Sequence, residues 1–289
     1  MSSNNPQSGQ TVNDLVSQFD YDDRTPLQAS ESGVQQKHGV SIHDVSYTGL
    51  EDERIQAYWV EPPGEGASGK RPSPAVIYVH PAPGDRSAFM EEAALLARQG
   101  TASLLVEAPW AQIEAWGQAM GTAEKDRQIL IAAIKNLRRA VDYAASRPEV
   151  EADRMGFVGH SIGALTGGVL SGVERRLKAF VLMAGAPSFT DVASLNMPFL
   201  KGPELEHYAS VMESIDPVNY VGHASPSALF FQFGRNDEAF SPDRFESFAQ
   251  AGSEPKLVLW YDTGHFFPDS GAQKDRLEWL QTQLRAERS

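Results

Sequence analysis

Short, continuously apolar segments alternate with segments of helical periodicity over most of the chain, and this alternation constrains the fold more than any other feature. The apolar runs have the length of strands and show no regular polar alternation, as expected for strands that are buried on both faces. They cover residues 75–79, 102–106, 155–158, 179–183, 228–233 and 257–260. Strands that alternate with helices predict an α/β fold, with a mostly parallel central sheet.

Two helix faces accompany these runs, which suggests that helices cover both faces of the sheet. The first face comprises Leu130, Ile134, Leu137, Val141 and Ala144, and the second comprises Leu277, Leu280 and Leu284. Upstream, residues 40–47 and 54–60 place β-branched and aromatic residues around a polar turn, which predicts an antiparallel N-terminal hairpin. We therefore expect residues 1–35 to be an N-terminal tail or extension and residues 36–289 to form a single domain.

Residues 188–224 interrupt the regular alternation of strands and helices. This segment carries Leu195, Met197, Phe199 and Leu200 without clear periodicity, and a short helix is predicted over residues 203–214. We interpret it as a short cap inserted over the edge of the sheet; a plain surface excursion is the alternative.

Composition excludes several classes of function. The formal net charge of −13 argues against nucleic acid and anionic membranes as partners. The chain has no cysteine, so it has neither a thiol nucleophile nor a thiolate metal site. No apolar run approaches the length of a membrane span, and the polar first residues do not resemble a signal peptide. We expect a cytoplasmic protein, with export of a trimmed form as the alternative.

The motif that carries chemistry is Gly159-His160-Ser161-Ile162-Gly163. It directly follows an apolar strand and precedes small residues typical of a helix start, which is the context of a nucleophile elbow. Such an elbow holds the serine on a strained turn, where side chains two residues to either side would clash. The helix N-terminus also favours developing negative charge. The motif therefore predicts that Ser161 is a nucleophile; a simple Gly/Ser-rich turn is the alternative.

A serine hydroxyl needs a general base, and in chains with this elbow the order is nucleophile, acid, histidine. His207, His223 and His265 follow Ser161, but the first two lie in the predicted cap. His265 follows the last strand, directly after Gly264, whose flexibility allows the turn that aims the ring back over the sheet. We therefore predict that His265 is the base.

The acid that orients the base should follow the preceding strand at residues 228–233. Asp237 lies at the carboxyl end of that strand, where ligand sites of parallel sheets form. Glu238 is the main competitor and Asp262 is a weaker one. Chain order favours Asp237.

An oxyanion hole requires two N–H donors, and Ile162, which follows the nucleophile, should supply the first. The second should come from the loop His80-Pro81-Ala82-Pro83-Gly84. Because proline has no N–H, only Ala82 can donate between the two prolines. Gly84 and Asp85 remain as alternative donors. His80 precedes the serine, so we interpret its ring as a structural element of the loop.

These pieces, in this order, resemble the α/β-hydrolase superfamily, and most closely its dienelactone-hydrolase-like serine esterase branch. The loop at residues 80–84 looks like a variant of the family's His-Gly-x-x-Gly oxyanion segment, with Pro81 in place of glycine. The resemblance covers the chain from about residue 36 and implies the α/β-hydrolase fold with no metal and no organic cofactor. Dienelactone hydrolase itself uses cysteine, whereas this chain has Ser161, which favours ordinary carboxylic esters.

The sequence thus predicts a serine hydrolase that cleaves small-molecule carboxylic esters through an acyl-enzyme at Ser161. A peptidase or thioesterase with the same triad is the nearest alternative, and a non-catalytic binding protein of the same fold is the second. The predicted pocket walls are other residues near strand ends, namely Trp110, Met183, Phe240 and Phe266.

Overall fold

The computed structural model describes residues 12–63, 72–112, 114, 117, 121–197 and 199–285. Within these residues lies a nine-stranded sheet. The strands are β1 (Ser30–Lys37), β2 (Val40–Thr48), β3 (Arg54–Glu61), β4 (Ser73–Val79), β5 (Ala102–Val106), β6 (Val150–His160), β7 (Leu177–Met183), β8 (Ala228–Gly234) and β9 (Lys256–Tyr261). The helices are α1 (Val12–Ser17), α2 (Met90–Arg98), α3 (Ala123–Ser146), α4 (Ile162–Val173), α5 (Phe189–Asn196), α6 (Pro203–Met212), α7 (Pro242–Ala251) and α8 (Ser270–Gln283).

The strand order is β1-β2-β3-β5-β4-β6-β7-β8-β9. The pairs β1–β2, β2–β3 and β3–β5 are antiparallel, and all pairs from β5 to β9 are parallel. This arrangement confirms the predicted α/β fold with antiparallel N-terminal strands. Because the parallel strands all end at one edge, the loops that follow them meet there.

Two apolar layers enclose the sheet. In β4, Ala75, Ile77 and Val79 face one layer, which contains the apolar sides of α3, α4 and α7. Val76 and Tyr78 face the other layer, with α2 and α8. Helices therefore cover both faces, as predicted, and the burial of every residue in β5 and β8 accounts for their mostly apolar sequences, in which Ser103 and Gln232 are the polar exceptions.

Part of the predicted N-terminal tail or extension, residues 1–35, lies in the sheet. Residues 30–35 lie in β1, which pairs with β2, although every residue of β1 is exposed. Phe19 is fully buried and packs edge to face on Tyr220, with ring centroids 5.6 Å apart. Residues 1–11 lie outside the described part of the chain. β1 carries only one apolar residue, Val34, so it has no periodicity from which a strand could be predicted.

The segment predicted as a cap contains α5, α6 and three short 3-10 turns. The helix α6 matches the predicted short helix, whereas α5 was not predicted. Ser188 begins α5 with a reciprocal capping box to Asp191. The segment packs against α3 and α4, and a capping function over the site stays a prediction. Among the described helices, none is both long enough and apolar enough to cross a bilayer.

Candidate active site

Ser161 lies on the turn between β6 and α4. Its backbone has φ 56° and ψ −121°, a conformation that residues other than glycine rarely adopt. The Ser161 N–H donates to the carbonyl of Met183 at 2.9 Å, at the end of the neighbouring strand β7. The turn thus places the hydroxyl at the carboxyl edge of the sheet, with 7% of the residue exposed.

The two glycines of the pentapeptide allow close backbone packing. A Cβ on Gly159 would lie 2.2 Å from the carbonyl oxygen of Gly163, and a Cβ on Gly163 would lie 2.5 Å from that of Val79. Both distances are far below van der Waals contact. Only glycine therefore fits at either position, as the motif predicts, and the start of α4 lies directly against the end of β4.

Three sequence-predicted side chains meet at this edge. The Nε2 of His265 lies 2.9 Å from Ser161 Oγ, and its Nδ1 lies 2.8 Å from Oδ2 of Asp237. The Asp237 side chain is 1% exposed, and its Oδ1 accepts the N–H groups of Ala239 and Phe240 at 2.8 and 3.0 Å. An ionised carboxylate only accepts hydrogen bonds, so Nδ1 is the donor. Nε2 is then free to accept the serine proton.

The competing carboxylates occupy other positions. Glu238 Oε2 lies 3.4 Å from the backbone nitrogen of His265 and accepts its N–H rather than contacting the ring. Asp262 pairs with Arg235 at 3.4 Å, and its side chain is 88% exposed. The carboxylate on the imidazole is therefore that of Asp237.

His160 is a site residue that sequence reasoning missed. Its Nε2 lies 2.6 Å from the backbone oxygen of His265, and the ring is buried. Burial, with a further contribution from the neighbouring His265, lowers the pKa of His160 to about 4. The ring is therefore neutral near pH 7. No motif signals this contact, because sequence spacing does not say where the ring at the motif's second position points.

The histidines at positions 80, 207 and 223 each lie in a different environment. His80 donates from Nδ1 to the carbonyl of Pro81 at 2.8 Å and accepts the Ala108 N–H on Nε2 at 3.1 Å. This confirms its interpretation as a structural element of the loop, and burial lowers its pKa. His207 contacts Glu124 on the surface, and His223 is exposed.

The two residues predicted to donate to an oxyanion lie in neighbouring segments of the chain. Ile162 is the first residue of α4, and Ala82 follows the end of β4, which contacts Gly163. Within the described residues, neither N–H donates to another protein group. The loop is held in place by the indole of Trp110, which donates to the carbonyl of His80 at 2.9 Å.

Three of the four predicted pocket residues lie around the site. The rings of Phe240 and Phe266 meet that of His265 edge to face, with centroids 5.5 and 6.0 Å away. Phe266 is 60% exposed, and with Met183 it lines a cavity of about 450 Å³. Trp110 instead lies behind the oxyanion loop, fully buried, beside a separate cavity of about 370 Å³. In the parts of the chain that are described, no group of acidic, histidine or cysteine side chains could hold a metal ion.

The sheet order and the elbow define the class of protein, which is an α/β-hydrolase. The fold is similar to that of an acetyl xylan esterase from Paenibacillus sp. R4, with 19% identity, a TM-score of 0.74, and 94% of this chain and 93% of that chain covered. It is also similar to that of acetyl xylan esterase 1 from Thermoanaerobacterium sp. JW/SL YS485, with 15% identity and a TM-score of 0.74, and with 95% of this chain and 94% of that chain covered. The esterase Pf2001 of Pyrococcus furiosus has 17% identity to this chain and a TM-score of 0.64, with 89% of this chain and 98% of that chain covered.

The family follows from the sequence itself. Residues 98–277 match the model of the serine hydrolase (FSH1) family, which covers more than half of the chain. The chain therefore belongs to this serine hydrolase family. The matched residues include Ser161, Asp237 and His265. No curated protein matches the chain in sequence.

Proposed function

We propose that this protein is a serine esterase that cleaves small-molecule carboxylic esters through an acyl-enzyme on Ser161. The observation that carries the proposal is the hydrogen-bonded line from Ser161 Oγ through His265 to Asp237, with distances of 2.9 and 2.8 Å, at a nucleophile elbow. Ester cleavage is further supported by the solved structures of similar fold, which include acetyl xylan esterases.

In the first step, Ser161 Oγ attacks the ester carbonyl carbon while His265 Nε2 takes the hydroxyl proton. The carbonyl oxygen becomes an oxyanion, and the N–H groups of Ile162 and Ala82 donate to it. Asp237 holds the Nδ1–H of the ring and stabilises the imidazolium that forms. The carbon–oxygen bond then breaks, and His265 returns its proton to the leaving alcohol.

In the second step, a water molecule attacks the acyl-enzyme carbonyl, and His265 removes one water proton. The tetrahedral intermediate collapses to a carboxylic acid, and the proton on His265 returns to Ser161 Oγ. Every proton transfer uses a side chain of this chain, so the proposal requires neither a metal nor an organic cofactor. Met183, Phe240 and Phe266 are proposed as walls of the substrate pocket, with Trp110 supporting the oxyanion loop.

A fluorophosphonate probe and a series of nitrophenyl esters of increasing acyl length test the proposal. We expect the probe to label Ser161 and the esters to be hydrolysed, with peptide and thioester substrates turned over more slowly at equal concentration. Labelling with turnover of peptides or thioesters alone would move the reaction to those classes. A folded protein that the probe does not label would contradict the nucleophile and support a binding protein of this fold.

A further inference from the structure

The residue before the proposed nucleophile contacts the proposed base. His160 Nε2 and the backbone oxygen of His265 are 2.6 Å apart, and the two imidazole rings lie 5.5 Å apart. His265 is thus held at four atoms. Asp237 and Ser161 contact the two ring nitrogens, Glu238 accepts the backbone N–H, and His160 contacts the backbone oxygen.

The chemistry of this contact fixes the protonation of His160. A carbonyl oxygen can only accept, so Nε2 of His160 must carry the hydrogen. Burial keeps the ring uncharged, and the nearby His265 and Arg276 also disfavour a positive charge on it. A neutral ring with the proton on Nε2 donates to the His265 backbone without placing a cation beside the imidazolium that forms during the reaction.

The loop that carries His265 borders a cavity and contains a strained residue. A cavity of about 450 Å³ lies against this loop, and His160, Phe266 and Phe267 line it together with Met183. Phe267 has φ 55°, a left-handed conformation that is strained for a bulky residue, and its ring meets that of His160 edge to face at 6.2 Å. With a cavity on one side and strain in the backbone, the loop is positioned by its hydrogen bonds together with the packing of the buried Phe267.

We infer that His160 is a positioning residue for the reaction, because its Nε2–H fixes the backbone of His265 at the distance from Ser161 that proton transfer requires. Two hydrogen bonds then join the elbow to the loop that carries His265, one from Ser161 Oγ and one from the ring of His160. The inference rests on the proposed function, since it takes His265 as the base. A displacement of about 1 Å at a reacting group can cost on the order of 10²-fold in rate.

Two substitutions separate the hydrogen bond from the volume of the ring. His160→Gln keeps an N–H at a similar reach, whereas His160→Met keeps a similar volume and removes the donor. We expect His160→Met to lower kcat and the rate of fluorophosphonate labelling by roughly 10- to 100-fold, with KM little changed. His160→Gln should recover most of this loss. If His160 only supported folding, activity would not return in the variant that restores an N–H donor.

Measurements on the parent protein separate a failure of the proposed function from a failure of the positioning role of His160. If the probe fails to label parent Ser161, or if His265→Ala remains active, the proposed function fails. If the parent is labelled and a folded His160→Met variant turns over within about twofold of it, the positioning role alone is wrong. The same conclusion follows if His160→Gln loses as much activity as His160→Met.

A measurement on the parent covers the case in which the methionine variant does not fold. The ¹⁵N resonances of the imidazole nitrogens distinguish a protonated from a bare ring nitrogen. We expect His160 to carry its proton on Nε2 and to leave Nδ1 bare. A bare Nε2 could not donate to the His265 carbonyl and would overturn the inference.

Discussion

The carboxylate of Glu238 accepts the backbone N–H of His265 at 3.4 Å, while its neighbour in sequence, Asp237, contacts the ring. Two adjacent acids therefore hold the same histidine at different atoms. Only the acid on Nδ1 can select the tautomer that leaves Nε2 bare and stabilise the positive ring. The two carboxylates should consequently differ sharply in their effect on turnover.

The first prediction compares these acids. Asp237→Asn should lower kcat by up to about 10⁴-fold, because the amide no longer selects the required tautomer. Glu238→Gln keeps an oxygen that can accept the backbone N–H, so its effect should be within about tenfold. Steady-state kinetics on one ester measure both. A large loss in Glu238→Gln with a small loss in Asp237→Asn would reverse the assignment.

The second prediction concerns the nucleophile. Ser161→Ala should lower turnover by on the order of 10⁶-fold and abolish labelling by a fluorophosphonate. Ser171 provides a matched control, because it lies in α4, the helix that begins directly after Ser161, and its hydroxyl donates to the carbonyl of Gly168. Ser171→Ala should keep activity and labelling. If the Ser161→Ala protein retained more than a few per cent of the parent activity, another residue would be the nucleophile.

The third prediction concerns the second oxyanion donor. Ala82→Pro removes the N–H and should lower kcat by about 10²–10³-fold, whereas Ala82→Ser keeps the N–H and much of the activity. Because a third proline in the loop also restrains the backbone, the variant must be folded and must still react slowly with a fluorophosphonate at Ser161. A folded Ala82→Pro protein with near-parent turnover would point to Gly84 or Asp85 as the donor.

The fourth prediction concerns stability and pH. Asp216 lies in the segment between β7 and β8 and accepts the Phe189 N–H at 2.8 Å. Burial, with a smaller contribution from the nearby Asp191, raises the pKa of Asp216 to about 7. The folded state therefore binds the Asp216 proton more tightly than the unfolded state does. The stability that this proton provides is complete below about pH 4, near the unfolded pKa, and is lost as pH rises to about 7.

Asp216→Asn should remove this dependence. Asparagine keeps an oxygen that accepts the Phe189 N–H and never ionises, so the variant should become more stable than the parent as pH rises from about 4 to 7. The slope of the difference in unfolding free energy should not exceed about 1.4 kcal/mol per pH unit. Urea unfolding of both proteins at several pH values measures it. Parallel stability curves for the two proteins would contradict the prediction.

The sequence predicted the parallel part of the fold because its strands read as apolar runs, and the inner strands are buried on both faces, whereas the edge strand β9 is only partly buried. It also indicated that Ser161, Asp237 and His265 would meet, since each follows a strand whose carboxyl end lies at the same edge. The structure places the His265 ring within hydrogen-bond distance of both Ser161 and Asp237.

Other features could not be predicted because they depend on contacts between distant segments. The roles of His160 and Glu238 depend on where their side chains point relative to a loop that comes later in the chain. The fully buried position of Trp110 likewise follows from its hydrogen bond to His80, which no spacing reveals. The sequence did not predict the antiparallel strand β1, because this strand is formed by pairing with β2 and none of its residues is buried.

The polar sequence of β1, which did not predict a strand, has a consequence for solubility. β1 is the last strand at one end of the described sheet, so one side of its backbone has no neighbouring strand. An open strand edge can pair with an edge of another molecule and begin aggregation. Here the strand carries Glu31 and Lys37, and its pairing register shifts between Glu31 and Gly33. Charges and an irregular register both disfavour such pairing, so this strand protects the end of the sheet against assembly with other copies of the chain.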